Sequence, residues 1–110
     1  MTEIVRKPLL AAEVNQPVLK VDVREITFAG GQKTGRHVHP CPVVGYIAEG
    51  AALLEIEGQP AQALATGSAF YEPANTVIAR FDNASASAPM KFIAHYLLQG
   101  QEALIEMLPE

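Results

Sequence analysis

The sequence has one cysteine, few basic residues and no long apolar run, and each shortage excludes a class of protein. One cysteine cannot form an internal disulfide, which is typical of a chain kept in a reducing compartment. No apolar stretch approaches the roughly 20 residues of a membrane helix, and the mixed charges of residues 1–14 are unlike a secretory signal. We therefore expect a cytoplasmic protein without a membrane partner.

The charge balance argues against nucleic acid as a partner. Eight lysines and arginines stand against twelve acidic residues, for a net charge of −4, whereas phosphate binding needs a clustered basic excess. Hydrophobic residues make up 49% and charged residues 18% of the 110 residues, a composition typical of a packed chain rather than a disordered one. A chain of this length is expected to form one domain over residues 1–110.

The first strong pattern that is present is an alternation of apolar and polar residues. Leu19, Val21 and Val23 share one parity with polar residues between them, which predicts a half-buried strand. The apolar parity then shifts to Ile26 and Phe28, and this shift predicts a bulge near residues 24 and 25.

Short strand patterns recur along the rest of the chain, with turn residues between them and no long helical period. This recurrence predicts an all-β fold, an antiparallel sandwich or barrel with its core at about residues 18–98 and an arm at each end. In the C-terminal arm, Leu104, Ile105 and Leu108 are spaced like one face of a helix, so we expect a short helix or an equivalent extended arm there. The apolar arms and a final strand that is apolar on both faces predict a homodimer.

Two of the three histidines form a candidate metal site. His37 and His39 are two residues apart, so in an extended chain they lie on the same face, roughly 7 Å apart, with Val38 on the other. Neutral imidazole is a usual ligand of zinc, iron, nickel or manganese. Two imidazoles alone bind such an ion only modestly, so we expect a divalent metal that is weakly bound or absent.

A complete site needs a further ligand, and several residues are candidates. His95 in the last strand is the remaining imidazole, although a hydrogen-bonded core or interface histidine is the plainer interpretation. Glu72 shares parity with Phe70 and so has a route to the interior, but a glutamate before a proline is more often a solvated turn residue. Asp82 is a second possible carboxylate. Cys41 is either a thiol ligand or reactive group, or simply a small side chain that fills a turn.

The stretch around the histidines resembles the first motif of the small single-domain cupins. That motif is a glycine, five residues, His-x-His, three or four residues, a glutamate, six residues and a glycine. Gly31, His37, His39 and Gly50 fall in step with it, whereas the glutamate position holds Val43.

The second cupin motif is matched less completely. Gly67 and Pro73 fit its glycine and proline, but Asn75 stands at its second glycine and Ile78 at its histidine. The resemblance covers residues 18–98 and implies an antiparallel jelly-roll β-barrel of the RmlC-like type, whose mouth holds one metal through three histidines and a glutamate. Only two of those four ligands occupy their family positions here, so the metal does not transfer with the fold.

Aliphatic residues at two ligand positions make the expected pocket more apolar than that of a metal cupin. The residues predicted to line it are Val43, Tyr46, Phe70, Glu72, Ile78 and Arg80. Arg80 is an anion anchor if it points inward and a solvated surface residue if it does not. The sequence therefore favours a small-molecule-binding protein with a His37/His39 pair and no catalysis. The alternatives are a metal-dependent oxygenase or isomerase with a third ligand, and a subunit with a vestigial pocket.

Overall fold

A computed structural model describes residues 3–110 of the chain, and its regular structure consists of antiparallel strands. Within these residues the strands are β1 (Lys20–Phe28), β2 (His37–Val38), β3 (Val43–Glu49), β4 (Ala52–Ile56), β5 (Gln62–Leu64), β6 (Ala69–Glu72), β7 (Ile78–Asn83), β8 (Met90–Leu98) and β9 (Glu106–Met107). The prediction of an all-β antiparallel protein is confirmed. None of residues 3–110 belongs to a helix with the length and hydrophobicity that would let it cross a membrane.

The strands form two sheets. The first has the order β1-β8-β3-β6 and the second the order β5-β4-β7-β2-β9. No strand of one sheet is hydrogen bonded into the other within the described residues, so the expectation of a barrel is wrong in this respect: the sheets are not closed into one. They are held together by side chains instead.

An aromatic cluster fills the space between the sheets. Phe81 of β7 lies with its ring centroid 4.9 Å from that of Phe70 and 4.8 Å from that of Phe92, which belong to the opposite sheet. Phe28 of β1 packs edge-on against Phe92 at 5.5 Å. Offset and edge-to-face contacts of this kind add to the stabilisation from buried area, so this cluster is the centre of the core.

β1 corrects the prediction of a bulge. Its register with β8 runs without interruption from Lys20–Leu98 to Phe28–Met90. The apolar parity shifts because β1 is apolar on opposite faces at its two ends: Ile26 and Phe28 point inward, whereas Val21 and Val23 are 52% and 56% exposed on the outside.

The C-terminal residues 99–110, called the C-terminal strap below, contain no helix, so that alternative of the prediction is wrong and the extended arm is observed. The strap runs along β2, where β9 pairs with His37 and Val38, and the amide of Leu108 donates to the carbonyl of Arg36 at 2.9 Å. In the strap, backbone groups are hydrogen bonded to a neighbouring strand. A short isolated helix would have to satisfy its backbone groups internally, and such helices are only marginally stable.

Candidate metal centre

His37 and His39 lie side by side, in and just after β2 of the second sheet. His37 belongs to β2, between Ile78 of β7 and Met107 of β9, and His39 follows directly. Their ring centroids are 4.9 Å apart, and both side chains are buried. Two polar rings buried together need partners for all four ring nitrogens.

Both histidines use Nδ1 to contact a backbone carbonyl. His37 Nδ1 lies 2.7 Å from the carbonyl oxygen of Gly35, and His39 Nδ1 lies 2.7 Å from that of Leu104 in the C-terminal strap. A carbonyl oxygen only accepts, so each Nδ1 carries the proton and donates it. The Nε2 atom of each neutral ring is then left with a free lone pair.

Glu72 faces these two lone pairs. It ends β6 just before Pro73 and is buried, with its Oε1 2.7 Å from His39 Nε2 and 3.9 Å from His37 Nε2. Within the described residues its Oε2 has no hydrogen-bond partner. The interpretation of Glu72 as a solvated turn residue is therefore wrong, and the parity that it shares with Phe70 is what brings it inside.

The turn after Glu72 is attached to the histidines. The amide of Asn75 donates to the carbonyl of His39 at 2.8 Å. Asn75 has a φ of 57°, in the left-handed region that glycine and asparagine tolerate best. Asparagine at a family glycine position therefore preserves the backbone turn that holds Glu72 beside the rings.

The pKa values of His37 and Glu72 are shifted because each group lies beside the other in a buried site. Burial lowers the pKa of His37, but the Glu72 carboxylate and the Gly35 carbonyl outweigh it, and the pKa is raised overall. Burial raises the pKa of Glu72, but the two imidazoles outweigh that effect and lower it overall. The site therefore stabilises a positive charge next to a carboxylate.

The three side chains fit a divalent metal ion. One ligand atom from each of His37, His39 and Glu72 can be chosen so that all three lie within 4.8 Å of one another. Two Nε2 lone pairs and a carboxylate point at a common space, and such acceptors repel unless a proton or a cation lies between them. Carbonyl partners on Nδ1 are also the usual outer contacts of metal-binding histidines.

The register explains how a carboxylate reaches the site although Val43 holds the glutamate position. Val43 of β3 is paired directly with Glu72 of β6, so their side chains share one face of the sheet. Likewise Ile78, at the family histidine position, is paired with His37. Glu72 therefore places a carboxylate one strand away from the position where the family has it.

A cavity of about 210 Å³ adjoins the three side chains. Val43, Phe70 and Glu72, which the sequence predicted for the pocket, line it together with the two histidines. Its other lining residues are Ile26, Phe28, Thr34, Phe81, Phe92, Ala94, Tyr96 and Ile105. The cavity is thus apolar with one polar end.

Three residues predicted for the pocket lie elsewhere. Arg80 is on the surface, where its Nε donates to Glu55 Oε1 at 3.0 Å. It shares parity with the buried Ile78, but the register of β7 with β4 shifts between these two residues, so Arg80 points away from the interior. Tyr46 is 40% exposed on the outer side of the first sheet. Ile78 is buried but is not among the cavity residues.

The structure places His95 apart from the other histidines. Its neighbours Ala94 and Tyr96 line the cavity, so strand alternation puts His95 on the opposite face of β8. There its Nδ1 lies 2.9 Å from the carbonyl oxygen of Val44. His95 is therefore outside the group of three potential ligands, whose third member is Glu72.

Cys41 is buried in the core cluster and is outside the group of three potential ligands. Burial, together with the charge of Glu102, raises the pKa of its thiol to about 11. A thiol of this kind stays protonated near neutral pH and is a poor nucleophile, which supports its interpretation as a small side chain that fills a turn.

Two contributors to the site are absent from the set of pocket residues predicted above. Tyr96 lines the cavity with its ring centroid 5.9 Å from that of His39, and burial and the nearby Glu72 carboxylate raise its pKa. Leu104 contributes its carbonyl from the C-terminal strap. The parity of β8 could have identified Tyr96, but no side-chain pattern identifies a carbonyl that acts from 65 residues away.

Comparison with known proteins agrees with this architecture. Residues 24–96 match the family profile described as the cupin domain. No curated protein matches the sequence. A crystal structure of a cupin-like protein from Thermotoga maritima superposes with a TM-score of 0.68 at 24% identity, covering 80% of this chain and 64% of that one.

Two enzymes of known structure share the fold. A DMSP lyase from Ruegeria pomeroyi superposes with a TM-score of 0.68 at 17% identity, over 79% of this chain and 42% of that chain. An oxalate oxidase in complex with the substrate analogue glycolate gives 0.69 at 20% identity, over 81% and 46%. At these identities the similarity is one of fold alone, and the chain spans less than two thirds of each of the three proteins.

Proposed function

The chain belongs to the cupin family, whose profile covers residues 24–96, and we propose that it holds a divalent transition metal through His37, His39 and Glu72 and binds a small organic molecule beside it. One observation carries the proposal: a buried carboxylate faces two imidazoles whose Nδ1 protons are both committed to carbonyls. The expectation of weak metal binding assumed only two ligands, and Glu72 is a third.

The ligand types indicate which metals suit the site. Two nitrogens and one carboxylate oxygen match zinc, iron, nickel or manganese, and three protein ligands leave coordination positions open. When bound, such an ion acts as a Lewis acid toward an oxygen atom of a ligand. The residues themselves would supply charge and orientation. Glu72 would neutralise part of the positive charge of the ion, and the Gly35 and Leu104 carbonyls hold the two imidazole rings in place.

The cavity indicates the size and polarity of the organic molecule. An apolar cavity of about 150 Å³ is enough to hold benzene, so about 210 Å³ accommodates one ring with a small substituent. Four phenylalanines, Phe28, Phe70, Phe81 and Phe92, offer contacts to an apolar body. An oxygen-bearing end would lie at the polar end, near His39 and Tyr96.

Metal-dependent catalysis of the oxygenase or isomerase type is a second candidate. It is favoured by the composition of the ligand set, since two histidines and one carboxylate with open positions are typical of non-haem iron oxygenases. The DMSP lyase and the oxalate oxidase support it only in that this fold also occurs in enzymes. Incubation of iron- or manganese-loaded protein with a panel of small carboxylic acids, followed by mass spectrometry, tests it. New product masses would support catalysis, and an unchanged panel would leave binding as the function.

Cobalt and benzoate test the binding proposal. Metal-free protein titrated with Co²⁺ should take up one ion per chain, with a change in visible absorption, and benzoate should bind more tightly to the cobalt form than to the metal-free form. A protein that takes up no Co²⁺ or Zn²⁺, or that binds benzoate equally with and without metal, would contradict it.

A matched pair of variants locates the benzoate. Ala94 lines the cavity and is buried, so Ala94→Val should weaken benzoate binding by about tenfold while leaving Co²⁺ uptake unchanged. Ala63→Val, at an exposed position of β5, is the control and should change neither benzoate binding nor Co²⁺ uptake.

A further inference from the structure

Most hydrogen-bond donors at the polar end of the cavity are already in use. The polar side chains that line the cavity are those of Thr34, His37, His39, Glu72 and Tyr96. The Thr34 hydroxyl donates to the carbonyl of Phe81 at 2.6 Å, and the two Nδ1 protons are donated to the carbonyls of Gly35 and Leu104. With neutral imidazole rings, none of these three side chains keeps a proton for a molecule in the cavity.

Tyr96 is the exception among these side chains. It is buried, and its ring centroid lies 5.9 Å from that of His39. Within the described chain its hydroxyl takes part in none of the hydrogen bonds made by the polar side chains of the wall. A buried tyrosine hydroxyl usually has a partner, and a phenol keeps its proton near neutral pH. Tyr96 is therefore the wall side chain with a proton free to donate to a ligand.

The register of the first sheet places Tyr96 in one row with Glu72. Tyr96 of β8 is paired with Val43 of β3, and Val43 is paired with Glu72 of β6. The three side chains therefore share the inner face of the sheet. Only the aliphatic Val43 stands between the hydroxyl and the carboxylate in this row, so a ligand group that lies over Val43 can reach both ends.

The charge of the site limits the charge of its ligand. A divalent ion and the Glu72 carboxylate together leave one positive charge. No lysine or arginine is among the described residues that line the cavity. Arg24 shares the parity of Ile26 but lies outside the wall, where it donates to the Asp22 carboxylate at 2.7 and 3.1 Å. A second negative charge on the ligand would lie unpaired in the apolar part of the cavity, which is costly.

We propose that the organic ligand is a monocarboxylate with an apolar body, and that Tyr96 determines this specificity by donating its hydroxyl proton to the carboxylate. The inference rests on the proposed metal site, since one carboxylate oxygen faces the ion and the other accepts from Tyr96. A carboxylate meets both requirements because it has one negative charge and two acceptor oxygens. An amide of the same shape leaves the positive charge of the site unneutralised.

Two ligands with the same ring and charge test the role of Tyr96. Cobalt-loaded Tyr96→Phe should bind benzoate about 10–100-fold more weakly than the cobalt-loaded wild type, because a hydrogen bond to a charged group is lost. Thiophenolate binds cobalt through its sulfur and has no oxygen to accept from Tyr96. It should therefore bind equally to the two proteins. Calorimetric titration measures all four affinities.

Tyr46→Phe is the matched control, because Tyr46 is 40% exposed and outside the cavity wall. It should bind both ligands as the wild type does. The circular dichroism and Co²⁺ uptake of Tyr96→Phe should also equal those of the wild type, because the hydroxyl contributes neither to the core nor to the ligand set.

The wild type tests the ligand class without any substitution. Its cobalt form should bind benzoate at least tenfold more tightly than benzamide, which is neutral. It should also prefer benzoate at least tenfold over terephthalate, whose second carboxylate would lie at the apolar side of the cavity.

The outcomes separate this inference from the proposed function. Equal benzoate affinities of the wild type and Tyr96→Phe, or an equal loss of benzoate and thiophenolate binding, would overturn the role of Tyr96. Benzamide or terephthalate that binds as tightly as benzoate would overturn the monocarboxylate class. With cobalt-dependent benzoate binding intact, these results leave the proposed function standing, whereas a wild type that takes up no cobalt overturns both.

Discussion

Two carbonyl oxygens, those of Gly35 and Leu104, determine what the histidines can do. Each accepts the Nδ1 proton and so directs an Nε2 lone pair toward Glu72. The same arrangement binds a proton in the absence of metal, since the pKa of His37 is raised above its ordinary value. Protons and metal therefore compete for the site.

We predict that zinc affinity falls as the pH is lowered from about 8 to about 5. Binding needs neutral His37, and because its pKa is raised, the competing proton is already taken up above the ordinary value of 6.5. Below that pKa, affinity should fall at least about tenfold per pH unit, as measured with a competing chelator dye. His95→Gln, which changes the histidine outside the site, should leave the profile unaltered. A flat profile for the wild type would refute the competition.

Gly45 makes room for the ring of Phe70, which lines the cavity. It lies on β3 opposite Phe70, and the Phe70 ring occupies the space that a Cβ atom at residue 45 would need. Gly45→Ala should force the ring toward the cavity and lower the free energy of unfolding by about 1–3 kcal/mol, as measured by urea denaturation.

The control for Gly45→Ala is Gly100→Ala, because a Cβ at residue 100 meets only a Glu102 oxygen, at 4.0 Å. This control should lower the free energy of unfolding by less than about 0.5 kcal/mol. Equal stabilities of the two variants would show that Phe70 is free to move away.

The candidate site could be predicted from the sequence only in part at this scale. The spacing of His37 and His39 and their cupin motif identified two ligands. Glu72 was recognised as an alternative, but its parity with Phe70 competed with the usual solvation of a glutamate before a proline. The deciding fact, its pairing with Val43, is a register between strands far apart in the chain, and register is not encoded in a local pattern.

The C-terminal strap is the element on which the site most depends. It supplies the Leu104 carbonyl to His39 and places Ile105 in the cavity wall. It is attached to β2 through β9 and through Arg36, whose Nη1 donates to the carbonyl of Pro109 at 3.2 Å. The eight strands of the two sheets before it do not need it for their own pairing.

Removal of residues 104–110 should therefore weaken metal binding by about 10–100-fold, the usual effect of losing an outer partner of a metal ligand. The circular dichroism of the sheets should be retained. Ile105→Ala is the matched control: it keeps the Leu104 carbonyl, so metal binding should persist while benzoate binding weakens. A truncated chain with wild-type metal affinity would show that His39 needs no orientation from the strap.

β1 shows why strand parity was misread at the level of elements. Leu19, Val21 and Val23 gave the clean alternation from which a buried face was predicted, yet all three are exposed on the described chain. The inward face of β1 carries Ile26 and Phe28 instead. Alternation tells which residues share a face, but each face of this strand is apolar over part of its length. The pattern therefore does not tell which face is buried within the chain. A partner chain packed on the exposed face would explain why that face is apolar.

At the scale of the whole molecule, two sheets enclose an apolar space with one charged end. The strand content, the antiparallel arrangement and the cupin family could be predicted from strand patterns and motif spacing. The open edges between the sheets and the path of the strap could not, because they depend on contacts over long sequence distances. The dimer remains a prediction at this scale.

The metal content of protein purified without chelator, measured by elemental analysis, tests the central claim most directly. The wild type should contain close to one transition-metal ion per chain, and Glu72→Gln should contain less than about one tenth of that. Asp82→Asn is the matched control, since Asp82 is also a buried carboxylate with an oxygen that lacks a partner in the described residues, yet it lies outside the His37/His39/Glu72 group. It should retain the wild-type content. A wild type without metal that also takes up none on titration, or equal metal in the wild type and Glu72→Gln, would contradict the account.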